Sequence, residues 1–319
     1  MPGFVYRSIY ISRLIASSLL RRLRFASGRI DSATGATTTV LDTESAVAYI
    51  HRTFHDYLRY GGLAGKDIIG ARLLEIGPGD SLGVGLRFLA RGAARYVTLD
   101  KFYSRHDPAR ARAIYERLRH DLPPAEQALF DPARIETFYG HGAQEADQIF
   151  APASFDGILS RAVLHEIYAV ESAILALDRV LKPGGWMIHK IDLRDDGLFS
   201  SRGFHPLEFL TISDPVYWLL SYDTDKACRR PLPFYRGILR RLNYQARFII
   251  TGLIETEGYK AVEDPTGDGK EVLEPGIDYG PEHEKALAAI RPRLSHEFRS
   301  LSDSDLLAAS VFLAARKPL

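Results

Sequence analysis

One stretch restricts the fold more than any other: Leu73-Leu74-Glu75-Ile76-Gly77-Pro78-Gly79-Asp80-Ser81-Leu82-Gly83. A short apolar run enters a glycine turn, and Leu82, Leu86 and Leu89 follow at helical spacing. The pattern predicts a buried strand that delivers a loop to a helix start. Gly77 and Gly79 lack a Cβ, so the backbone there can turn sharply and lie against a ligand. The helix beyond should open with N–H groups that have no helical partner, which suits an anionic ligand group. Further on, Tyr96-Val97-Thr98-Leu99-Asp100 reads as a second strand closing on a carboxylate, placed to grip ribose hydroxyls.

Glu75-Ile76-Gly77-Pro78-Gly79 resembles the first motif of the class I S-adenosylmethionine-dependent methyltransferases, E/D-x-G-x-G, and Asp100 matches their second. A nicotinamide fingerprint wants G-x-G-x-x-G, whereas here the third glycine of the series is Gly83, one residue later. Val180-Leu181-Lys182-Pro183-Gly184-Gly185-Trp186 is similar to the family's LkPGG turn before its fifth strand. The resemblance implies an α/β fold, a doubly wound seven-stranded sheet, with S-adenosylmethionine as cofactor. It covers residues 66–192 by motif and 245–317 by general pattern.

Within that frame Glu75, Gly77, Gly79 and Asp100 are expected to bind the cofactor, with Phe102 against the adenine ring. After the strand Ile135–Tyr139 the family often places an aspartate for the adenine amino group. This chain has His141 and Gln144 there, so backbone groups at Gly142 and Ala143 take that role in our reading. The strand Phe155–Ser160 runs into Arg161-Ala162-Val163-Leu164-His165-Glu166, similar to the family's fourth motif. Ligands of doubly wound sheets lie beyond the carboxyl ends of the strands. Ser160 is therefore assigned to the cofactor, and Arg161, His165 and Glu166 to catalysis. His165 is the candidate general base, because an unperturbed imidazole titrates near neutrality. The alternative for His165 is a structural role at the start of the next helix.

The totals narrow the class. With 319 residues, 46% hydrophobic and 25% charged, the chain has ordinary globular composition and room for one large domain with additions. A net charge of +1 provides no general attraction to nucleic acid. The single Cys228 excludes an intramolecular disulfide framework and fits a reducing cytoplasm. No long uncharged apolar run predicts a transmembrane helix.

Residues 1–42 form a basic amphipathic segment and linker, and 43–319 the methyltransferase-like domain. Arg7, Arg13, Arg21, Arg22 and Arg24 alternate with Phe4, Ile9, Tyr10, Leu14, Ile15, Leu19, Leu20 and Leu23 at helical spacing. One reading is a helix docked on the domain over its active site, which is preferred. The other is peripheral contact of residues 4–25 with an anionic membrane. Asp42 or Thr43 caps a helix carrying Tyr57, a cleft contact by analogy with the family, and His51 and His55, a pair lacking a third metal ligand. No metal is expected. Asp192 and Arg194, at the end of the fifth strand with Asp195 and Asp196, are expected to orient a polar substrate. An aromatic insertion, about 197–235, contains His205 and reads as substrate-facing or as a satellite core. A loop excursion spans about 255–300.

The expected activity is transfer of a methyl group to a small-molecule acceptor, an oxygen or carbon nucleophile, with lipid- or sugar-linked acceptors included. The alternatives are a nucleic-acid methyltransferase and a non-catalytic cofactor-binding partner subunit. Against the first, Ser160-Arg161-Ala162-Val163 is unlike the N/D-P-P-Y/F tetrapeptide used on exocyclic base amines.

Overall fold

Strand β1 (Arg72–Ile76) lies between β2 (Arg95–Asp100) and β4 (Phe155–Arg161), parallel to both. The structure, a computed structural model, describes residues 3–28, 31–32, 37–104, 107–195, 197–222, 228–255, 258–261 and 280–319. Outward from β2 comes β3 (Ile135–Tyr139), and outward from β4 come β5 (Leu181–Asp192), β8 (Ala308–Arg316), β6 (Gln245–Glu255) and β7 (Gly258–Ala261). The expected doubly wound seven-stranded sheet is present, with β8 antiparallel between β5 and β6. The short β7 adds an eighth strand at the edge, paired to β6 as a hairpin.

Side-chain alternation along the strands explains why both faces are covered. Leu73, Tyr96, Leu159, Trp186 and Phe312 point into one core with helices α2 (Thr43–Gly61), α3 (Gly83–Ala90) and α4 (Pro108–His120). Leu74, Val97, Ile158, Met187 and Val311 point into the other, with α5 (Val170–Val180). The helix punctuation was readable: Asp42 Oδ1 accepts from Ser45 N–H at 2.9 Å, Gly62 closes α2 in the left-handed region, and Asp107 caps α4 ahead of Pro108.

Lys182-Pro183-Gly184-Gly185 does not precede β5 but bulges within it. Phe155 pairs with Leu181 and Gly157 with Trp186, so the residues between have no partners on β4. The excursion is shorter than expected. Residues 262–279 lie outside the described ones, but Pro281–Ile290 is helix α8, with Ala286, Leu287 and Ile290 buried at helical spacing. The insertion settles as core. It contains α6 (Asp214–Ser221) and enters α7 (Leu232–Arg241), and Phe199, Leu207, Phe209, Tyr217 and Leu220 join the α5-side cluster. The buried Arg229 guanidinium ties it down through the carbonyls of Phe209 and Ile212 and the carboxylates of Asp214 and Glu297.

The first helix, α1 (Phe4–Ala26), docks on this insertion. Arg7 pairs with the buried Glu208 at 2.6 Å, Tyr10 donates to the Leu198 carbonyl, and Ser18 donates to that of Leu220, both at 2.5 Å. Among the described residues no helix is long and apolar enough to cross a membrane.

Gly157 has the tightest surroundings in the sheet: a Cβ there would stand 2.2 Å from the Trp186 ring. A rigid indole cannot swing aside, so Gly157→Ala should lower unfolding free energy by about 1–3 kcal/mol in denaturant titrations followed by Trp186 fluorescence. An unchanged midpoint would contradict this packing.

Candidate active site

The chain runs from β1 to β3 in one direction across the sheet and from β4 onward in the other. A crevice must open where the order reverses, beside the carboxyl ends of β1 and β4. A cavity of about 570 Å³ occupies that place. Its floor is the turn from Glu75 to Ser81, Asp100 to Phe102 after β2, Gly142 and Ala143 after β3, and Arg161 to Val163 after β4. His165 and Glu166 continue its wall, and Tyr49 and Thr53 of α2 and Tyr222 after α6 complete it.

The turn requires its glycines. Gly77 and Gly79 have φ of +65° and +69°, and a Cβ on Gly77 would lie 2.4 Å from the Val163 side chain. Across from it Ala162 also takes a positive φ, +57°, with its N–H bonded to the Lys190 carbonyl at 2.9 Å. A strained non-glycine residue therefore sits in the cavity wall, where such strain tends to accompany function.

Glu75 and Asp100 dominate the electrostatics. Burial pushes the Glu75 carboxyl up to about 7, partly offset by the Tyr96 hydroxyl, which donates to it at 2.9 Å. Burial likewise raises Asp100 to about 6, against peptide N–H groups of Phe102, at 2.9 Å, and Gly79. Among the described residues neither acid has a cation at ion-pair distance. Two buried acids with only neutral donors beside them favour a ligand that brings positive charge and hydroxyl donors.

At the helix start behind the turn, Leu82 N–H donates to the Tyr115 hydroxyl at 2.8 Å and Gly83 N–H to Ser81 Oγ at 3.2 Å, so side chains hold two of the donors expected to meet an anionic group. Asp80 instead holds the segment before α2: its carboxylate accepts from the N–H and hydroxyl groups of both Thr38 and Thr39, at 2.5–3.1 Å. Thr37 and Thr38 thereby become part of the cavity wall.

Of the anticipated residues, Glu75, Gly77, Gly79, Asp100, Phe102, Gly142, Ala143, Arg161, His165 and Glu166 meet at this cavity. Five others do not. Ser160 is fully buried, with its hydroxyl bonded to His189 Nδ1 at 2.8 Å, and burial lowers that imidazole to about 3. Tyr57 is in the core against Phe88 and Phe312, because the helical stripe that buries Phe54 also carries it inward. His205 is structural: Nε2 lies 3.0 Å from the Ala286 carbonyl, and Nδ1 accepts from Leu207 N–H at 3.0 Å. Asp192 and Arg194 close on each other, at 2.9 and 2.5 Å, behind His165. Of the neighbouring aspartates, Asp195 accepts from the peptides of Gly197, Phe199 and Ser200, and Asp196 lies outside the described residues.

Gly142 is at the cavity edge, yet its N–H donates to Glu145 at 2.7 Å and its carbonyl accepts from the same residue. Phe102 backs onto Phe25 of α1, ring centres 4.8 Å apart, so the first helix supports one wall. Arg161 pairs with Asp56 at 2.9 Å and lies over Tyr49. His165 Nδ1 accepts from Asp192 N–H over a long 3.4 Å, which places the proton of the neutral ring on Nε2 while that contact lasts. The reading of the sequence missed Asp80, Thr38, Tyr49, Thr53 and Tyr222. The threonine run at 37–39 beside the α2 cap, and the four-residue spacing of Tyr49 and Thr53, were the available signals.

Residues 74–189 match the family model described as "Methyltransferase domain". No curated protein matches the chain significantly. Solved structures similar to it include the CurJ carbon methyltransferase, at 12% identity and TM-score 0.39, covering 79% of this chain and 50% of that one. This chain thus spans half the length of that protein. An S-adenosylmethionine-dependent methyltransferase from Mesorhizobium loti is similar at 14% identity and TM-score 0.40, covering 84% and 100%. Haemonchus contortus phosphoethanolamine N-methyltransferase 2, in complex with S-adenosyl-L-methionine, follows at 15% and 0.44, covering 84% and 53%.

Because folding raises the Glu75 carboxyl from 4.5 to about 7, the folded chain without ligand loses stability as pH rises through that interval. Glu75→Gln keeps an acceptor for Tyr96 and removes the titration. Its unfolding free energy should exceed that of the parent by about 1–3 kcal/mol above neutrality, with the gain vanishing in acid. A gain independent of pH would place the buried titration elsewhere.

Proposed function

We propose that the chain, whose residues 74–189 match a methyltransferase domain model, is a class I S-adenosylmethionine-dependent methyltransferase that methylates a small-molecule acceptor at oxygen or carbon. The observation that carries the proposal is the pair of buried carboxyls, Glu75 and Asp100, with no cation at ion-pair distance among the described residues, in a cavity of small-molecule dimensions. The residues fit the cofactor. Asp100 would accept from the ribose hydroxyls, Glu75 would face the positively charged amino acid end, and Gly77 and Gly79 would let the backbone approach it. Phe102 and the backbone beside Ala143 would flank the adenine. When bound, S-adenosylmethionine supplies a methyl group already activated on a sulfonium.

The chain's own work is then to position, to dry and to deprotonate. Arg161, fixed by Asp56, holds a polar group of the acceptor, while Tyr49 and Tyr222 enclose its body. The segment latched by Asp80 and the helix behind Phe102 keep water out, which sharpens every charge inside. His165 takes the proton that an oxygen or carbon acceptor must lose, and Glu166 beside it favours the resulting imidazolium. For His165 to act as base, the weak contact with Asp192 N–H must yield, so that Nδ1 itself takes the proton or the ring adopts the tautomer in which Nε2 does. Asp192 stands near enough to help hold the charged ring: its carboxyl, though raised by burial, is kept below its usual value by Arg194 and by His165.

Asp100→Ala should weaken cofactor binding about tenfold or more by calorimetry, from loss of charge-assisted hydrogen bonds. Unchanged affinity would remove Asp100 from the ribose. His165→Ala should lower kcat by about 10²–10⁴-fold with cofactor affinity nearly intact, and His165→Gln should fare no better. Recovery of turnover in the glutamine variant would make the ring a hydrogen-bonding group and not the base. The acceptor itself is sought by incubation with isotope-labelled cofactor and metabolite extract; cofactor binding without any labelled product would favour a non-catalytic role.

A further inference from the structure

Helix α1 is apolar on two sides. Tyr10, Ile11, Leu14 and Ile15 face inward with Ser18 and pack on the insertion. On the opposite side Val5, Ile9, Leu20 and Leu23 recur at spacings of four, eleven and three residues, one stripe along the helix axis with only Ser12 and Ala16 between them. They are 71%, 49%, 64% and 68% exposed, so docking has left this stripe uncovered. A single exposed leucine is ordinary, but a helix-long stripe is not.

We propose that this face of α1 docks on an anionic lipid surface, whatever reaction the cavity performs. Charge selects the occupant. Arg13 and Arg24 are exposed along the border of the stripe, and residues 1–30 contain no aspartate or glutamate. Apolar side chains bordered by arginine with no acid fit the boundary between acyl chains and anionic headgroups. A second copy fits less well, because a self-complementary contact through this stripe would bring arginines together with no carboxylate on the helix to meet them. The adjoining end of α6 has the same character. Trp218 and Tyr222 stack at 5.0 Å with the Arg22 guanidinium over both rings, and Trp218 and Leu219 are exposed. Amphipathic aromatics of this kind settle at headgroup level. Tyr222 also lines the cavity, so this aromatic patch adjoins its wall.

The test is co-sedimentation of the full chain with vesicles of phosphatidylcholine alone or with phosphatidylglycerol included. Binding at least about tenfold tighter to the anionic vesicles, and weakened by salt, is expected from two arginines near the surface. Leu20→Glu with Leu23→Glu, both outside the face packed on the insertion, should abolish binding while leaving circular dichroism and cofactor affinity unchanged. Arg13→Glu with Arg24→Glu should erase the preference for anionic lipid. Vesicle binding unaffected by the leucine changes would overturn the proposal. So would a parent chain that ignores both vesicles; if it then forms a dimer in sedimentation velocity with the leucine variant monomeric, the stripe is a subunit contact.

Discussion

Parallel pairing of β1 with β2 on one side and β4 on the other is the constraint from which the site follows. It brings Ile76, Leu99 and Ser160 level, so that the chain leaves three adjacent strands at one height. The turn after β1, the carboxylate closing β2 and the Arg161–Val163 corner then surround a single space. That space is costly to build. Glu75 is desolvated with a tyrosine hydroxyl as its hydrogen-bonding partner, and Ala162 is held in a backbone region that glycine enters more readily. Two well-packed cores, one on each face of the sheet, offset these local penalties.

Segments far apart in the chain line the cavity. The threonines before α2 are latched by four hydrogen bonds to Asp80, a residue of the glycine turn itself. The end of α1 reaches the same cavity from another direction, where Phe25 supports Phe102. The insertion contributes Tyr222 but otherwise serves as the bed for α1, so its aromatic residues act mostly on the wall and not in it. Docking occupies one face of the first helix, so the lipid contact proposed for its opposite face does not compete with it.

Behind the wall, polar side chains satisfy one another. Ser160 bonds to His189, Asp192 to Arg194, and His205 to backbone groups on two segments. Each was a reasonable ligand contact when judged by position after a strand or among aromatics. Burial decided otherwise, since a polar group in the interior takes a partner wherever packing supplies one. The same rule explains why two N–H groups at the start of α3 are already bonded. An acceptor hydroxyl on Tyr115 or Ser81 reaches them, and sequence spacing gives no sign of that.

The strands, their direction of burial, the caps of α2 and α4 and the turn at Gly77 were all determined by local sequence. They depend on side-chain periodicity and on the few residues able to cap a helix or adopt a positive φ. So was the gathering of Glu75, Asp100, Arg161 and His165, because parallel strands of a doubly wound sheet must end together. Tertiary structure alone decided which way each polar side chain turned, that Tyr57 went to the core, that Asp80 would hold Thr38 and Thr39, and which face of α1 stayed uncovered. Those outcomes are set by contacts between residues distant in sequence, and no local pattern encodes the partner.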